Sequence, residues 1–247
     1  MLEPQHISRE KAQSYCEEEG LAELISFEPE EGIIAPQIQD LARLHQLIRK
    51  RKSFTVLEFG VGYSTIVIAD ALKKNQAEWS TLDPVPAIRN RYVFQCFSVD
   101  TSEDWIALTN SRIPEHLKEY VHFQYSEVEI GTHLGQLCHF YKTLPDVVPD
   151  FIYLDGPDPK AVKGNINGLT FQCDERTVMA ADLLLMESTM LPGTFILVDG
   201  RTNNARFLQR NFRRNFDYRW HQSADVSTFE LQEKRLGKYN LLGSDFL

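Results

Sequence analysis

The sequence has no apolar run long enough to cross a bilayer, so no membrane span is expected. Its four cysteines, Cys16, Cys96, Cys138 and Cys173, stand far apart without a Cys-x-x-Cys pair. That spacing argues against a zinc site and fits free thiols in a reducing cytoplasm. Positive charge is scarce: 26 Lys and Arg against 35 Asp and Glu leave a formal net charge of -9. An acidic balance disfavours a broad nucleic-acid-binding surface. The opening residues Met1-Leu-Glu-Pro-Gln-His6 are polar and acidic, unlike a signal peptide, and a cytoplasmic location is expected. There is no internal repeat and no low-complexity stretch. What remains is ordinary: 247 residues, 43% hydrophobic and 25% charged, suit one α/β domain with additions.

The most informative stretch is Phe54-Thr-Val-Leu-Glu-Phe-Gly-Val-Gly-Tyr-Ser-Thr65. Phe54 to Leu57 is a short apolar run of the kind that makes a strand buried on both faces. Ser64 to Lys74 reads as a helix. Between them Gly60 and Gly62 allow a ligand to approach the backbone, and the unpaired N–H groups of the first helical turn face the same place. A lone Gly-x-Gly is more often an ordinary tight turn; the acidic Glu58 at the strand end tips the balance.

Glu58 also discriminates between ligands. A dinucleotide presents a pyrophosphate, and its sites usually carry Gly-x-Gly-x-x-Gly. Here Thr65 stands where the third glycine would be, and Glu58 would repel phosphate. A carboxylate suits an ammonium group instead. With Glu58-Phe-Gly-Val-Gly62 the chain resembles the class I S-adenosylmethionine-dependent methyltransferases, and its Gly62-Tyr63-Ser64-Thr65 continuation is similar to a branch of small-molecule O-methyltransferases. The resemblance implies S-adenosylmethionine held by Glu58, Gly60, Gly62, Tyr63 and Ser64. It covers about residues 53–232 and implies a Rossmann-like, doubly wound, mostly parallel seven-stranded sheet with an antiparallel C-terminal strand. Residues 1–52 then form an N-terminal helical extension and 53–247 the S-adenosylmethionine-binding domain.

In the extension, Ser8 is positioned to cap a helix that ends at Gly20, and Pro36 opens a second helix closed by the basic run Arg49 to Lys52. After the glycine turn, Glu78-Trp-Ser-Thr-Leu-Asp-Pro84 reads as a second strand ending in an acid. An acid roughly 20 residues past such glycines accepts hydrogen bonds from ribose hydroxyls, which assigns that task to Asp83. Pro86 to Thr109 reads as mainly helical, with Trp105 in the core. Val121 to Tyr125 alternates as the next strand, and the resemblance places the following Ser126 and Glu127 near the adenine. Gly131 to Tyr141 suggests a β-hairpin on the sheet edge.

Phe151-Ile-Tyr-Leu-Asp-Gly-Pro157 is the second strong signal: a buried strand ending in Asp155. In open parallel sheets ligands bind beyond the carboxyl ends of the strands, where strand order reverses. The methyltransferase order makes this strand the neighbour of the first, with Asp155 facing the methyl group. The polar stretch Lys160 to Thr177 reads as a substrate loop, and Val178 to Met190 as a helix. Leu191-Pro-Gly193 precedes another apolar strand closed by Asp199, and two further segments finish the sheet as a hairpin.

The expected reaction is methylation of a small hydroxylated metabolite or sugar by in-line displacement, which needs orientation and removal of a hydroxyl proton. Asp155 is the candidate base and His139 the reserve. Metal-dependent O-methyltransferases hold Mg²⁺ on aspartates that Asp155 and Asp199 match. Gly200 stands where their asparagine would be; Asn203 or Asn204 could replace it if the loop folds back, or the two carboxylates together with the acceptor's oxygens could suffice. Other readings are a non-catalytic binding protein on this fold and an NAD-dependent oxidoreductase. Expected partners are a small-molecule acceptor and, in an oligomer, further copies of the chain, with no nucleic acid and no membrane.

Overall fold

The computed structural model describes residues 7–26, 36–88 and 90–234. Ser8 caps the first helix, α1 (Arg9–Glu18), its hydroxyl accepting the Lys11 N–H at 3.3 Å. Helix α2 (Ile38–Arg51) follows, and the basic residues at its end are used structurally: Arg49 and Lys52 bind Glu78, and Arg51 binds Glu230. Both helices share one apolar core with α3 (Tyr63–Trp79).

Strand β1 (Thr55–Phe59) precedes α3. Then come β2 (Gln95–Asp100), α4 (Glu103–Arg112) and β3 (Val121–Tyr125). Next are β4 (Val128–His133), β5 (Gln136–Tyr141), β6 (Phe151–Leu154) and the short β7 (Val162–Lys163). The chain closes with α5 (Asp182–Met186), β8 (Phe195–Asp199), α6 (Thr202–Asn211), β9 (Phe216–His221) and β10 (Val226–Leu231). The main sheet has seven strands in the order β3-β2-β1-β6-β8-β10-β9, and β10 runs antiparallel to both its neighbours. This is the Rossmann-like doubly wound sheet with an antiparallel C-terminal strand, and strand order reverses between β1 and β6. Among the described residues no helix is long and apolar enough to cross a membrane.

Four expectations change. The second strand is Gln95–Asp100, not Glu78–Asp83: α3 continues to Trp79, and Asp83 is exposed in a bend. The helical reading of 86–109 holds only from Glu103 onward. The hairpin β4–β5 is not on the edge of the main sheet; it forms a second sheet with β7 in the order β5-β4-β7. The helix read over Val178 to Met190 shrinks to Asp182–Met186, because Ala180 bridges to His139 in strand fashion.

β1 and β6 are locked together at both ends. At the entry end the buried Asp150 carboxylate accepts the Phe54 and Thr55 amides at 3.1 and 2.6 Å. At the exit end Gly156 donates to the Phe59 carbonyl at 2.6 Å. A Cβ on Gly156 would stand 2.7 Å from the Gly60 nitrogen, so only glycine fits there. The strand ends that build the cleft are thereby fixed relative to each other.

Candidate active site

The turn after β1 is held from below. Glu58 is 1% exposed, and its carboxylate accepts hydroxyl hydrogen bonds from Ser64 at 2.5 Å, Thr65 at 2.7 Å and Ser98 at 2.6 Å. Thr65 in turn accepts the Gly62 N–H at 3.1 Å, so the residue that replaces the third glycine ties the turn to Glu58. Burial pushes the Glu58 carboxyl up to about 7 against the three hydroxyls, with Asp155 adding to the rise. Glu58 therefore lies under the turn and lines none of the clefts beside it. Gly62 differs: nothing lies within 4 Å of the place a Cβ would take, so its backbone is open to the cleft.

Two cavities flank the turn. One, of about 480 Å³, runs from Gly60 and Val61 along Asp100, Ser102 and Trp105 to Asp155. The other, of about 420 Å³, reaches from Gly62, Tyr63 and Ser64 to Asp40 on α2, Asp155 and Asp199. A third, of about 510 Å³, opens between Asp155, the 174–178 segment and the start of α6. Asp155 lines all three.

The Asp155 side chain is 54% exposed, yet it sits at the floor of a cleft walled by protein. Burial there lifts its carboxyl to about 7; Arg201 opposes the rise, and Asp199 and Asp40 reinforce it. Arg201 binds the Asp155 and Pro157 carbonyls, the latter at 3.1 Å, and its Nε stands 3.8 Å from the Asp155 carboxylate. It thus pins the loop after β6 to the end of β8. Asp199 accepts the Tyr153 hydroxyl at 2.6 Å; burial raises its carboxyl and that hydrogen bond works against the rise.

The structure brings Gly60, Gly62, Tyr63, Ser64, Asp155 and Asp199 to one rim. Asp83 is not among them; Asp100 stands at the end of β2 instead, 8% exposed, accepting the Ser102 amide at 2.8 Å. The signal for Asp100 was present in Gln95-Cys-Phe-Ser-Val-Asp100, an apolar stretch closed by an acid, but it lies farther past the glycines than the usual spacing. Trp105, read as core, lines two of the cavities. Arg201 was missed because a single arginine after a strand carries no pattern.

Ser126 is 3% exposed, and its hydroxyl is engaged by the Thr143 amide at 3.0 Å. Glu127 is bound by Lys142 at 2.7 Å and by Lys163, and these two hydrogen bonds bring its carboxyl down to about 2. Neither residue lines these three cavities. His139 is fully buried beneath Phe171, with ring centroids 5.5 Å apart, and it also lines none of them. Burial brings it down to about 3, helped by Arg201, so His139 is a weak base sealed away from these cavities.

The metal expectation meets an unsuitable donor set. Asn204 is 1% exposed and both ends of its amide hold the Ala180 backbone, at 3.0 and 3.1 Å. Asn203 donates to Thr177 at 3.4 Å. Arg201, a fixed cation, stands beside Asp155 where Mg²⁺ would need further oxygen ligands. Among the described residues no group of three or more His, Cys, Asp or Glu side chains could hold a metal ion.

No family model and no curated protein matches the chain. Several solved structures do. The O-methyltransferase TomG from Streptomyces achromogenes, involved in tomaymycin synthesis and solved with SAM, is 16% identical over 91% of this chain and 89% of its own, with a TM-score of 0.44. An O-methyltransferase from Bacillus cereus in complex with SAH is 15% identical over 89% and 90%, with a TM-score of 0.42. An RNA methyltransferase from Salinibacter ruber, also with S-adenosylhomocysteine, is 13% identical over 85% and 100%, with a TM-score of 0.40.

Proposed function

We propose that this protein is an S-adenosylmethionine-dependent methyltransferase acting on a hydroxyl oxygen of a small polar acceptor, a sugar or sugar-like metabolite. The observation that carries the reading is the position of Asp155: one half-open carboxylate where the cavity beside Gly60 and Asp100 meets the two that open toward β8 and α2.

The open backbone at Gly62 and the N–H groups at the start of α3 leave room beside the turn, which fits the methionine end of the cofactor. Asp100 accepts the ribose hydroxyls, the task first given to Asp83, and Trp105 covers the same cavity. Bound S-adenosylmethionine supplies a methyl group already activated by its sulfonium. The chain's own residues orient the acceptor and take its proton. Asp155 is the base: a carboxyl lifted to about 7 is half ionised near neutral pH and strong enough to accept a proton from a hydroxyl that is losing it. Asp199, fixed by Tyr153, and Asp40 provide acceptors for the other hydroxyls of a polar substrate. Glu58 acts through the turn, holding Ser64 and Thr65 in place. No step uses a metal, and addition of EDTA is expected to leave turnover unchanged.

The test is incubation with S-adenosylmethionine and a panel of hydroxylated metabolites. The expected result is S-adenosylhomocysteine together with an acceptor heavier by one methylene. Cofactor binding without turnover on any acceptor would favour a non-catalytic binding protein. Tighter binding of NAD than of S-adenosylmethionine would favour an oxidoreductase, a reading that Thr65 in place of the third glycine opposes. Tight, steeply salt-dependent binding of RNA or DNA would move the acceptor to nucleic acid.

A further inference from the structure

Among the described residues the main sheet ends in two edge strands, β3 and β9, neither with a strand on its outer side. β9 pairs only with β10, and among the described residues no strand lies on its other side. The phase of that pairing can be read. Gln232 donates to the Asn215 carbonyl at 2.8 Å, and Asn215 is in register with Gln232 one step beyond Phe216↔Leu231. In an antiparallel ladder the hydrogen-bonded residues alternate, so Asp217, Arg219 and His221 turn their main chain toward β10. Phe216, Tyr218 and Trp220 therefore direct their N–H and C=O groups outward.

We infer that β9 is a homodimer edge, pairing antiparallel with β9 of a second copy about a two-fold axis at Tyr218. This register uses every outward main-chain group: Tyr218 meets its own copy, and Phe216 meets Trp220 of the other chain. It also sets Asp217 opposite Arg219 twice, in the closer, non-hydrogen-bonded type of pair. The charges select it. A shift of the axis to residue 217 would set Asp217 against Asp217, and a shift to residue 219 would set Arg219 against Arg219, with like charges directly opposed. Within one chain Asp217 and Arg219 already share a face, 3.2 Å apart. Trp220, 43% exposed on this edge and carrying the Arg206 guanidinium over its ring, is an apolar group that such pairing covers. The result is one sheet of twice seven strands. The inference does not depend on the methyltransferase reading.

Sedimentation or light scattering on the full chain should give twice the 28.5 kDa chain mass at micromolar concentration. Asp217→Arg alone and Arg219→Asp alone each oppose like charges twice, and each should weaken self-association about tenfold or more. An equimolar mixture of the two variants restores both opposite-charge pairs and should dimerise as a heterodimer, which also demonstrates that both variants fold. Trp220→Lys, an edge lysine on an exposed position, should weaken the dimer independently. A monomeric wild type, or a dimer that survives all three substitutions, or variants that fail to associate when mixed, would overturn the proposal.

Discussion

Two carboxyls end adjacent strands, and both are lifted to about 7, yet they differ in kind. Glu58, closing β1, is sealed under Ser64, Thr65 and Ser98. Asp155, following β6, is half exposed where three cavities meet. Loss of solvent raises both, though Asp155 keeps far more of it, so a raised carboxyl on a strand end does not by itself mark the reacting group. Access separates them: a base must touch the proton it removes. The turn after β1 is built to hold shape, and the turn after β6 is built to present an oxygen.

The largest effect expected from breaking this pair is on Asp155. Asp155→Asn should lower turnover by about 10²–10⁴-fold while S-adenosylhomocysteine still binds by calorimetry. Since the base acts ionised, kcat/KM of the wild type should climb as pH rises through about 7 and then level off. Full activity in Asp155→Asn would move the chemistry elsewhere.

The glycines sharpen the same contrast. Gly62→Val projects into open cleft and should cost cofactor binding about 1–3 kcal/mol by filling space the ligand needs, with little change in melting temperature. Gly60→Val should do the reverse and lower the melting temperature first. Its φ is +101° and its Cβ would lie 3.2 Å from the Gly156 nitrogen, so the strain falls on the β1–β6 lock. Equal melting temperatures for the two variants would contradict this division.

A comparable loss is expected at the end of β2. Asp100→Ala should weaken S-adenosylmethionine binding by about 1–3 kcal/mol through unpaired ribose hydroxyls. Asp83→Ala, on an exposed bend, should change it by less than about 0.5 kcal/mol. Calorimetry of the pair decides which acid meets the ribose.

The last comparison concerns Glu58 and is read in stability against pH. Its folded carboxyl, at about 7, lies above the ordinary value of 4.5, so the native state holds the proton longer than the unfolded chain. The associated stabilisation is complete below about 4.5 and is lost as pH rises through 7. Glu58→Gln removes that loss. Relative to wild type, the variant should be better off at pH 8 than at pH 5 in thermal unfolding, whatever its average cost from the altered hydroxyl contacts. A difference that does not change with pH would show that Glu58 is not the group titrating.

Much of this was legible along the chain. The runs at Phe54 to Leu57, Phe151 to Leu154 and Phe195 to Val198 are apolar throughout, and a strand buried on both faces has no other way to look. Their closing acids followed directly, as did the β9–β10 hairpin and the Ser8 cap, because each depends on neighbours in sequence. The second strand was misplaced because Glu78-Trp-Ser-Thr-Leu-Asp83 and Gln95-Cys-Phe-Ser-Val-Asp100 both end an apolar stretch in aspartate, and only pairing with β1 chooses between them. Tertiary structure alone decided which polar groups were free to act. Asn204 looked like a ligand until it closed on Ala180, Ser126 and Glu127 until Thr143 and two lysines took them, and His139 until Phe171 covered it. A residue's type determines which bonds it can make, but its partners come from distant parts of the chain, and those partners decide whether any capacity is left for a ligand.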